Sequence, residues 1–402
     1  MTWIRTRHLC IVTETYAPDV NGVAHTLRHL VEGLEARGHT VSLVRPRPRA
    51  ATAQGAMAGP RATSGEILVR GLPLPRYPGL QFGLPAGAVL SAAWAARRPD
   101  GVYVATEGPL GWSAASAARH MRIPVASGFH TNLDRYVGHY GGGWLGRTVA
   151  RYLRRFHNRT DRTIVATAEL RDALDARGFR NVDVLGRGVD TALFDPRRRC
   201  PTLRRAWGAG DEDLIALYVG RLAPEKNVPL AIDAYRAMRR ARPRMRLVVV
   251  GDGPLGAGLR AAHPDVVFCG VQRGERLAAH YASADVFLFP SETETFGNVV
   301  LEALASGLPV VAFDYAAARA HIAHGDTGML APYRDAWAFI RGAEALAQPP
   351  RALDAMGRHA RASVLPCEWA RVVERFERLL VPARVEGAVM ESTLSFEGGD
   401  RS

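Results

Sequence analysis

The sequence predicts an α/β protein of two doubly wound halves, each a parallel sheet with helices on both faces. Three observations carry this. Short apolar runs alternate with segments of helical period along the chain, the order of a parallel sheet. The alternation runs through once, is interrupted by Asp195–Asp213, rich in Pro, Arg and Gly, and runs through again. The length of 402 residues exceeds one ordinary core and suits two domains of roughly 150–200 residues.

In the first half, Leu9–Glu14 reads as an apolar strand and Ala17–Gly22 as a turn. Val23–Arg37 has helical spacing and stops at Gly38, a natural residue for the left-handed position after a helix. Thr40–Val44 is the second strand, and Arg45–Glu66, with its prolines and glycines, reads as a surface loop. Val102–Ala105, Pro124–Ser127, Thr163–Ala166 and Val182–Leu185 are further strands. The second half repeats the plan with Leu214–Gly220, Leu247–Gly251, Val266–Cys269, Val286–Pro290 and Pro309–Phe313. Helical runs follow Pro332. The expected domains are 1–194 and 195–366, joined through Asp195–Asp213. A last helix, near 367–382, is expected to cross back onto the first domain, and 385–402 reads as a polar, mobile tail.

No run of about 18 apolar residues predicts a transmembrane helix, and Met1–Cys10 lacks the apolar stretch of a signal peptide. Cys10, Cys200, Cys269 and Cys367 are scattered without a CxxC pair. They suit a reducing cytoplasm, and neither a disulfide framework nor a zinc site. The net charge of +13 calls for a nucleic acid, an anionic membrane surface or a phosphorylated substrate. No recognised RNA- or DNA-binding motif supports the first. Part of the charge gathers in Trp144–Arg162, where Val149, Tyr152, Leu153 and Phe156 recur at helical spacing with arginines between. This is either a core-packed helix with a solvated arginine face or a helix drawn to anionic lipid, each basic residue near the surface contributing about 1 kcal/mol. The second reading implies a cytoplasmic protein peripheral to the inner face of a membrane.

Of the 52 basic residues, 51 are arginine and one, Lys226, is lysine. A sequence that replaces Lys by Arg elsewhere keeps here a compact ammonium that a planar guanidinium does not mimic. Lys226 follows the strand Leu214–Gly220 and stands five residues after Arg221. Open α/β sheets bind ligands beyond the carboxyl ends of their strands, and two cations there suit a diphosphate. Downstream, Glu294 and Glu302 stand eight positions apart, with seven residues between them. Glu294 lies in a loop after a strand, and Phe296-Gly297-Asn298 opens the helix that carries Glu302. The unpaired N–H groups of that helix start hold roughly half a positive charge, a place for phosphate. The two carboxylates can accept sugar and ribose hydroxyls if cations sit opposite.

These motifs resemble the retaining glycosyltransferases of family 4, in the glycogen-synthase-like group, with the GT-B fold of two Rossmann-like domains facing a central cleft. The residues that carry the resemblance are Gly220-Arg221 with Lys226, the Glu294–Glu302 run, Val249–Pro254 and the loop Pro18–Val23. The resemblance implies that Arg221 and Lys226 bind the donor diphosphate, that Glu294 holds donor sugar hydroxyls and that Glu302 holds the ribose. Backbone groups near Phe296, Gly297 and Asn298, and of the loop with Asn21 and Gly22, would touch sugar and phosphate. Gly220 and Gly251 would line the cleft, and Val271 would meet the base through its backbone. His130, in Gly128-Phe129-His130-Thr131-Asn132, matches the histidine that faces the reacting sugar. The implied chemistry is front-face displacement with no metal and no further cofactor. Asp211-Glu212-Asp213 reads as a solvated loop rather than a metal site. The chain is similar to bacterial GDP-mannose-dependent mannosyltransferases and diacylglycerol glycosyltransferases, which implies a nucleotide-sugar donor, a mannose or glucose, and a lipid or lipid-linked glycan acceptor. A soluble acceptor is the alternative.

Gly251-Asp252-Gly253-Pro254-Leu255-Gly256 also matches the G-x-G-x-x-G dinucleotide fingerprint and motivates a second reading, an NAD-dependent oxidoreductase. No acidic residue follows the next strand, Val266–Cys269, to hold the ribose.

Overall fold

The computed structural model describes residues 6–16, 22–48, 65–73, 81–130, 144–294 and 296–381. Its strands are β1 His8–Val12, β2 Thr40–Pro46, β3 Glu66–Val69, β4 Gly71–Pro73, β5 Gln81–Gly83, β6 Gly101–Val104, β7 Val125–Gly128, β8 Arg162–Val165, β9 Val182–Val184, β10 Ile215–Val219, β11 Arg246–Val250, β12 Val267–Phe268, β13 Val286–Phe289, β14 Val310–Phe313 and β15 Gly328–Ala331. Among the described residues the α-helices are α1 Gly22–Ala36, α2 Gly87–Ala96, α3 Pro109–His120, α4 Trp144–His157, α5 Ala168–Asp175, α6 Pro201–Ala206, α7 Val228–Ala241, α8 Gly256–Ala262, α9 Gly274–Ser283, α10 Asn298–Ala305, α11 Ala316–His321, α12 Ala336–Ala345, α13 Pro350–Val364 and α14 Trp369–Leu380.

Two sheets result. The first has the order β3-β2-β1-β6-β7-β8-β9 and the second β12-β11-β10-β13-β14-β15, with every pairing in both parallel. The strands β10, β13 and β14 are buried along their whole length, as near-continuous apolar runs must be when helices cover both faces. Strand order reverses beside β1 in the first sheet and between β10 and β13 in the second. The second reversal lies beneath the loops that carry Lys226 and Glu294. A crevice opens at such a point because the connections leave the sheet in opposite directions.

The structure departs from the sequence reading in three places. Glu66, read as the last residue of a loop, begins β3, which pairs with an extended β2, while β4 and β5 form a small antiparallel pair. β15 escaped notice because Gly-Met-Leu-Ala is short and starts on glycine. That glycine is required, since a Cβ at Gly328 would lie 2.2 Å from the Val310 carbonyl oxygen. Asp195–Asp213 is no loose tether. It folds into α6, and Trp207 and Arg204 are buried. Arg204 donates to Asp285 Oδ2 at 3.0 Å, to the Ser283 carbonyl at 2.8 Å and to the Asp213 carbonyl at 2.6 Å.

Helix α14 lies on α1. Its Val373, Phe376 and Leu380 enter the core of the first half with Leu27, Leu30, Val31 and Leu34, and Glu377 pairs with Arg37 at 3.0 Å. The halves also meet through Arg319 and Glu169 at 2.9 Å and through Val189 N–H donating to the Cys367 carbonyl at 3.0 Å. The turn Ala17–Asn21 and the segment 385–402 lie outside the described residues.

Candidate active site

The loop after β10 and the loop after β13 are stitched together. Glu292 N–H donates to the Glu225 carbonyl at 2.9 Å. Tyr315 and Tyr333 donate their hydroxyls to the Ser291 and Glu292 carbonyls, each at 2.8 Å. A short helical turn, Pro224–Lys226, ends at Asn227 in the left-handed conformation. Lys226 Nζ then meets Thr293 O at 3.0 Å, Ser291 Oγ at 3.4 Å and Glu294 Oε1 at 2.5 Å. Ser291 Oγ donates to the same Glu294 oxygen at 2.8 Å. An ammonium has three donors, and here three acceptors converge on it. Arg221, on the same loop, is exposed and among the described residues forms no ion pair.

The glycines of the fingerprint-like run serve this loop. Gly251 has φ +134°, and a Cβ there would lie 1.9 Å from the Gly220 carbonyl oxygen. A Cβ at Gly253 would lie 2.5 Å from the Leu222 carbonyl oxygen. Leu222 N–H donates to the Asp252 carbonyl at 3.0 Å and Leu255 N–H to the Leu222 carbonyl at 2.9 Å. The run is a backbone buttress for the loop of Arg221. Gly251 N–H also holds the Gly270 carbonyl at 2.8 Å, which leaves the neighbouring Val271 exposed at the rim.

Helix α10 begins at Gly297, which takes φ +98° and leaves the helix start without a side-chain cap or an acidic residue in its first turn. The Phe296 ring is buried and its carbonyl accepts from Ala317 N–H at 2.8 Å, so this residue anchors the helix start. Asn298 is the first helical residue. Glu302, on the same helix, accepts the Tyr281 hydroxyl at 3.0 Å. Burial pushes its carboxyl up to about 7. The folded protein therefore keeps a proton that the unfolded chain loses near the ordinary 4.5, and stability falls as pH rises between the two. Glu14 shares this slope, also lifted to about 7 by burial. Glu302→Gln should remove one contribution, so its melting temperature relative to wild type should climb from about pH 5 to pH 8. A constant difference would contradict this.

In the first half, His130 stands after β7 with both ring nitrogens engaged. Arg187 Nη2 donates to Nδ1 at 3.2 Å, and Nε2 lies 2.9 Å from the Tyr103 hydroxyl. A guanidinium only donates, so Nδ1 accepts and Nε2 carries the proton. Burial first, then Arg187 and His157, hold the imidazole neutral, its pKa well below the ordinary value. Gly22 starts α1 and is exposed; Asn21 lies outside the described residues. Among the described residues no hydrogen bond or ion pair joins the His130 group to the Lys226 group. Ser291, Tyr281, Tyr103 and Arg187 were not singled out from the sequence. Among the described residues no three His, Cys, Asp or Glu side chains gather, and Asp213 is engaged by Arg244 at 3.1 Å.

Residues 20–193 match the family described as Glycosyltransferase Family 4, and residues 213–348 match Glycosyl transferases group 1. A GDP-mannose-dependent alpha-mannosyltransferase of Mycolicibacterium smegmatis is 36% identical over 80% of this chain and 84% of its own. An alpha-monoglucosyldiacylglycerol synthase of Streptococcus pneumoniae is 28% identical over 75% of this chain and 70% of its own. Among solved structures, Anabaena HepE in complex with UDP and glucose superposes with a TM-score of 0.70 at 19% identity, covering 93% of this chain and 99% of HepE. With two parallel-sheet domains, a strand-order reversal in each sheet and these matches along both halves, the chain belongs to the family 4, group 1 glycosyltransferases of GT-B fold.

Proposed function

We propose that this protein transfers a hexose, mannose or glucose, from a nucleotide-diphosphate sugar to a lipid or lipid-linked glycan, with retention of configuration and without a metal ion. The observation that carries the reading is Lys226 caged by Ser291, Thr293 and Glu294, with Arg221, which forms no ion pair among the described residues, on the same loop. Departure of the sugar builds negative charge on the diphosphate. Preorganised cations and N–H groups aimed at that charge are the largest catalytic lever available. Lys226, Arg221 and the uncapped start of α10 supply them. Lys226 and Glu294 now neutralise one another; a donor lets the ammonium turn to phosphate while the carboxylate accepts sugar hydroxyls. Glu302 would hold the ribose. No side chain in this reading attacks the sugar, so retention requires the acceptor hydroxyl to enter on the face the diphosphate leaves, its proton passing to the departing diphosphate oxygen. The two relatives named above support a hexose and a lipid. The glycines of Gly251–Gly256 are occupied in backbone packing, which weighs against the oxidoreductase reading.

Membrane contact is proposed through the arginines of α4. Its Leu153 and Phe156 are buried, Leu153 against Phe129, Val165 and Leu174. Leu153 and Phe156 therefore face the core, Tyr152 stays exposed while stacking on Trp112, and Arg147, Arg151, Arg154 and Arg155 are exposed. The contact is electrostatic rather than inserted, and peripheral at a cytoplasmic surface. Among the described residues no helix is long and apolar enough to cross a membrane. Wild-type protein should float with anionic vesicles at low salt, and R147E/R151E/R155E should not. Flotation unchanged by the three reversals would contradict this.

The test of function is nucleotide release with chelator present, across GDP-mannose, UDP-glucose, UDP-galactose, UDP-glucuronate and ADP-glucose, with and without anionic liposomes containing diacylglycerol. Release from one donor, stimulated by liposomes, supports the proposal. Release indifferent to lipid moves the acceptor to a soluble glycan, and release only with metal removes metal independence.

A further inference from the structure

Among the described residues two arginines are buried, Arg187 and Arg204, and a third, Arg361, is partly buried; Arg187 is held unlike the other two. Arg204 is set against the Asp285 carboxylate and the carbonyls of Ser283, Gly210 and Asp213. Arg361 is set against Asp195 and the carbonyls of Phe194, Ala305 and Thr191. These are structural arginines, each with a carboxylate. Arg187 is 7% exposed, and among the described residues its guanidinium makes one hydrogen bond, to the neutral His130 at 3.2 Å. The groups that feel its charge are Tyr103, His130 and His25, none of them a carboxylate. A guanidinium has five N–H donors and stays charged, and burying such a charge unpaired is strongly unfavourable.

Its place matters. Arg187 stands beyond the end of β9 and reaches across to His130 at the end of β7, so it lies along the carboxyl edge of the first sheet, where an α/β sheet binds ligands. The diphosphate cations, Arg221 and Lys226, belong to the other half of the molecule. The first turn of α1, where His25 stands, brings no acidic residue.

We infer that Arg187 is an oxyanion-recognising residue, taking a carboxylate, phosphate or sulfonate that the substrate carries into the first-half side of the cleft. The inference rests on the transferase reading and adds to it that one substrate is acidic at a point away from the donor diphosphate. A planar fork of N–H groups matches such an oxyanion in two parallel hydrogen bonds. The anion belongs to the acceptor or to an acidic donor sugar, which present the same chemistry to Arg187.

The test is titration calorimetry on the full chain, with and without saturating GDP or UDP to occupy the diphosphate site. The acceptor-side probes are methyl glucuronide, inorganic phosphate and neutral methyl glucoside; the donor-side pair is UDP-glucuronate and UDP-glucose. The anionic member of one arm should bind about tenfold tighter or more than its neutral partner, and Arg187→Gln should erase that gap. The arm that shows the gap identifies the source. Should R187Q misfold, Arg187→Lys keeps the charge without the fork and should narrow the gap severalfold. Equal binding of acid and neutral probes in both arms, or a gap unchanged in the variants, overturns the inference. If neither GDP nor UDP binds, the transferase reading has failed, and the nucleotide-free glucuronide and phosphate titrations still decide the role of Arg187.

Discussion

Lys226→Ala should lower kcat/KM for nucleotide-sugar turnover by about 10²–10³ or more and leave the protein folded. The size follows from removing one preorganised donor at a leaving group, which commonly costs that much. The specificity of the position follows from its surroundings. Thr293 O, Ser291 Oγ and Glu294 Oε1 surround one ammonium, and the loop that delivers it is fixed by the Gly251 and Gly253 contacts. A guanidinium restores the charge but is larger, planar and tied to a fork of donors, so Lys226→Arg should recover less than a tenth of the lost activity. The fold should survive both changes because Lys226 is held by a loop cluster and not by either sheet's core. Steady-state kinetics with thermal unfolding of each variant check this. A Lys226→Arg enzyme near wild-type rate would show that charge alone suffices.

Asp285→Ala should destabilise the protein by about 3–5 kcal/mol, the usual cost of removing one partner from a buried pair. Asp285 accepts from Arg204 at 3.0 Å, from Arg199 at 2.8 Å and from the Ile215 N–H that begins β10 at 2.8 Å. Its loss leaves the buried Arg204 guanidinium without a counter-charge and frees a strand N–H. The remedy is as telling as the damage. Arg204→Met in the Asp285→Ala background removes the orphaned charge, so the double variant should be more stable than the single one. Urea unfolding gives both numbers. A double variant that loses the sum of the two single losses would mean that the pair is not coupled.

Much of this site was legible because it depends on local pattern. The strands before Arg221 and Glu294 are continuous apolar runs, the helix start at Gly297 announces itself by glycine, and Lys226 stands out as a single lysine among 51 arginines. What stayed hidden depends on pairing across the chain. Arg187 and His130 are 57 residues apart, and Tyr281 and Glu302 are 21 apart. In so arginine-rich a sequence, nothing local separates the buried Arg187 and Arg204 from an exposed Arg221. The segment Asp195–Asp213 misled for the same reason. Its Pro, Arg and Gly content suggests a loop, while its order comes from Asp285, which is 81 residues from Arg204. Trp144–Arg162 fitted two readings because a helix with one apolar and one arginine face looks alike on a core and on a membrane; the structure turns Leu153 and Phe156 to the core and leaves Tyr152 exposed.

The central claim is that a nucleoside diphosphate binds at Lys226 and Arg221 beside the start of α10. The most direct measurement is calorimetric titration of GDP and UDP, in chelator, into wild-type protein and Lys226→Ala. The account predicts saturable one-to-one binding of one of the two by wild type and at least about tenfold weaker binding by the variant, a loss of one charge-assisted contact. Failure of both nucleotides to bind the folded wild type, or equal affinity in the variant, would contradict it.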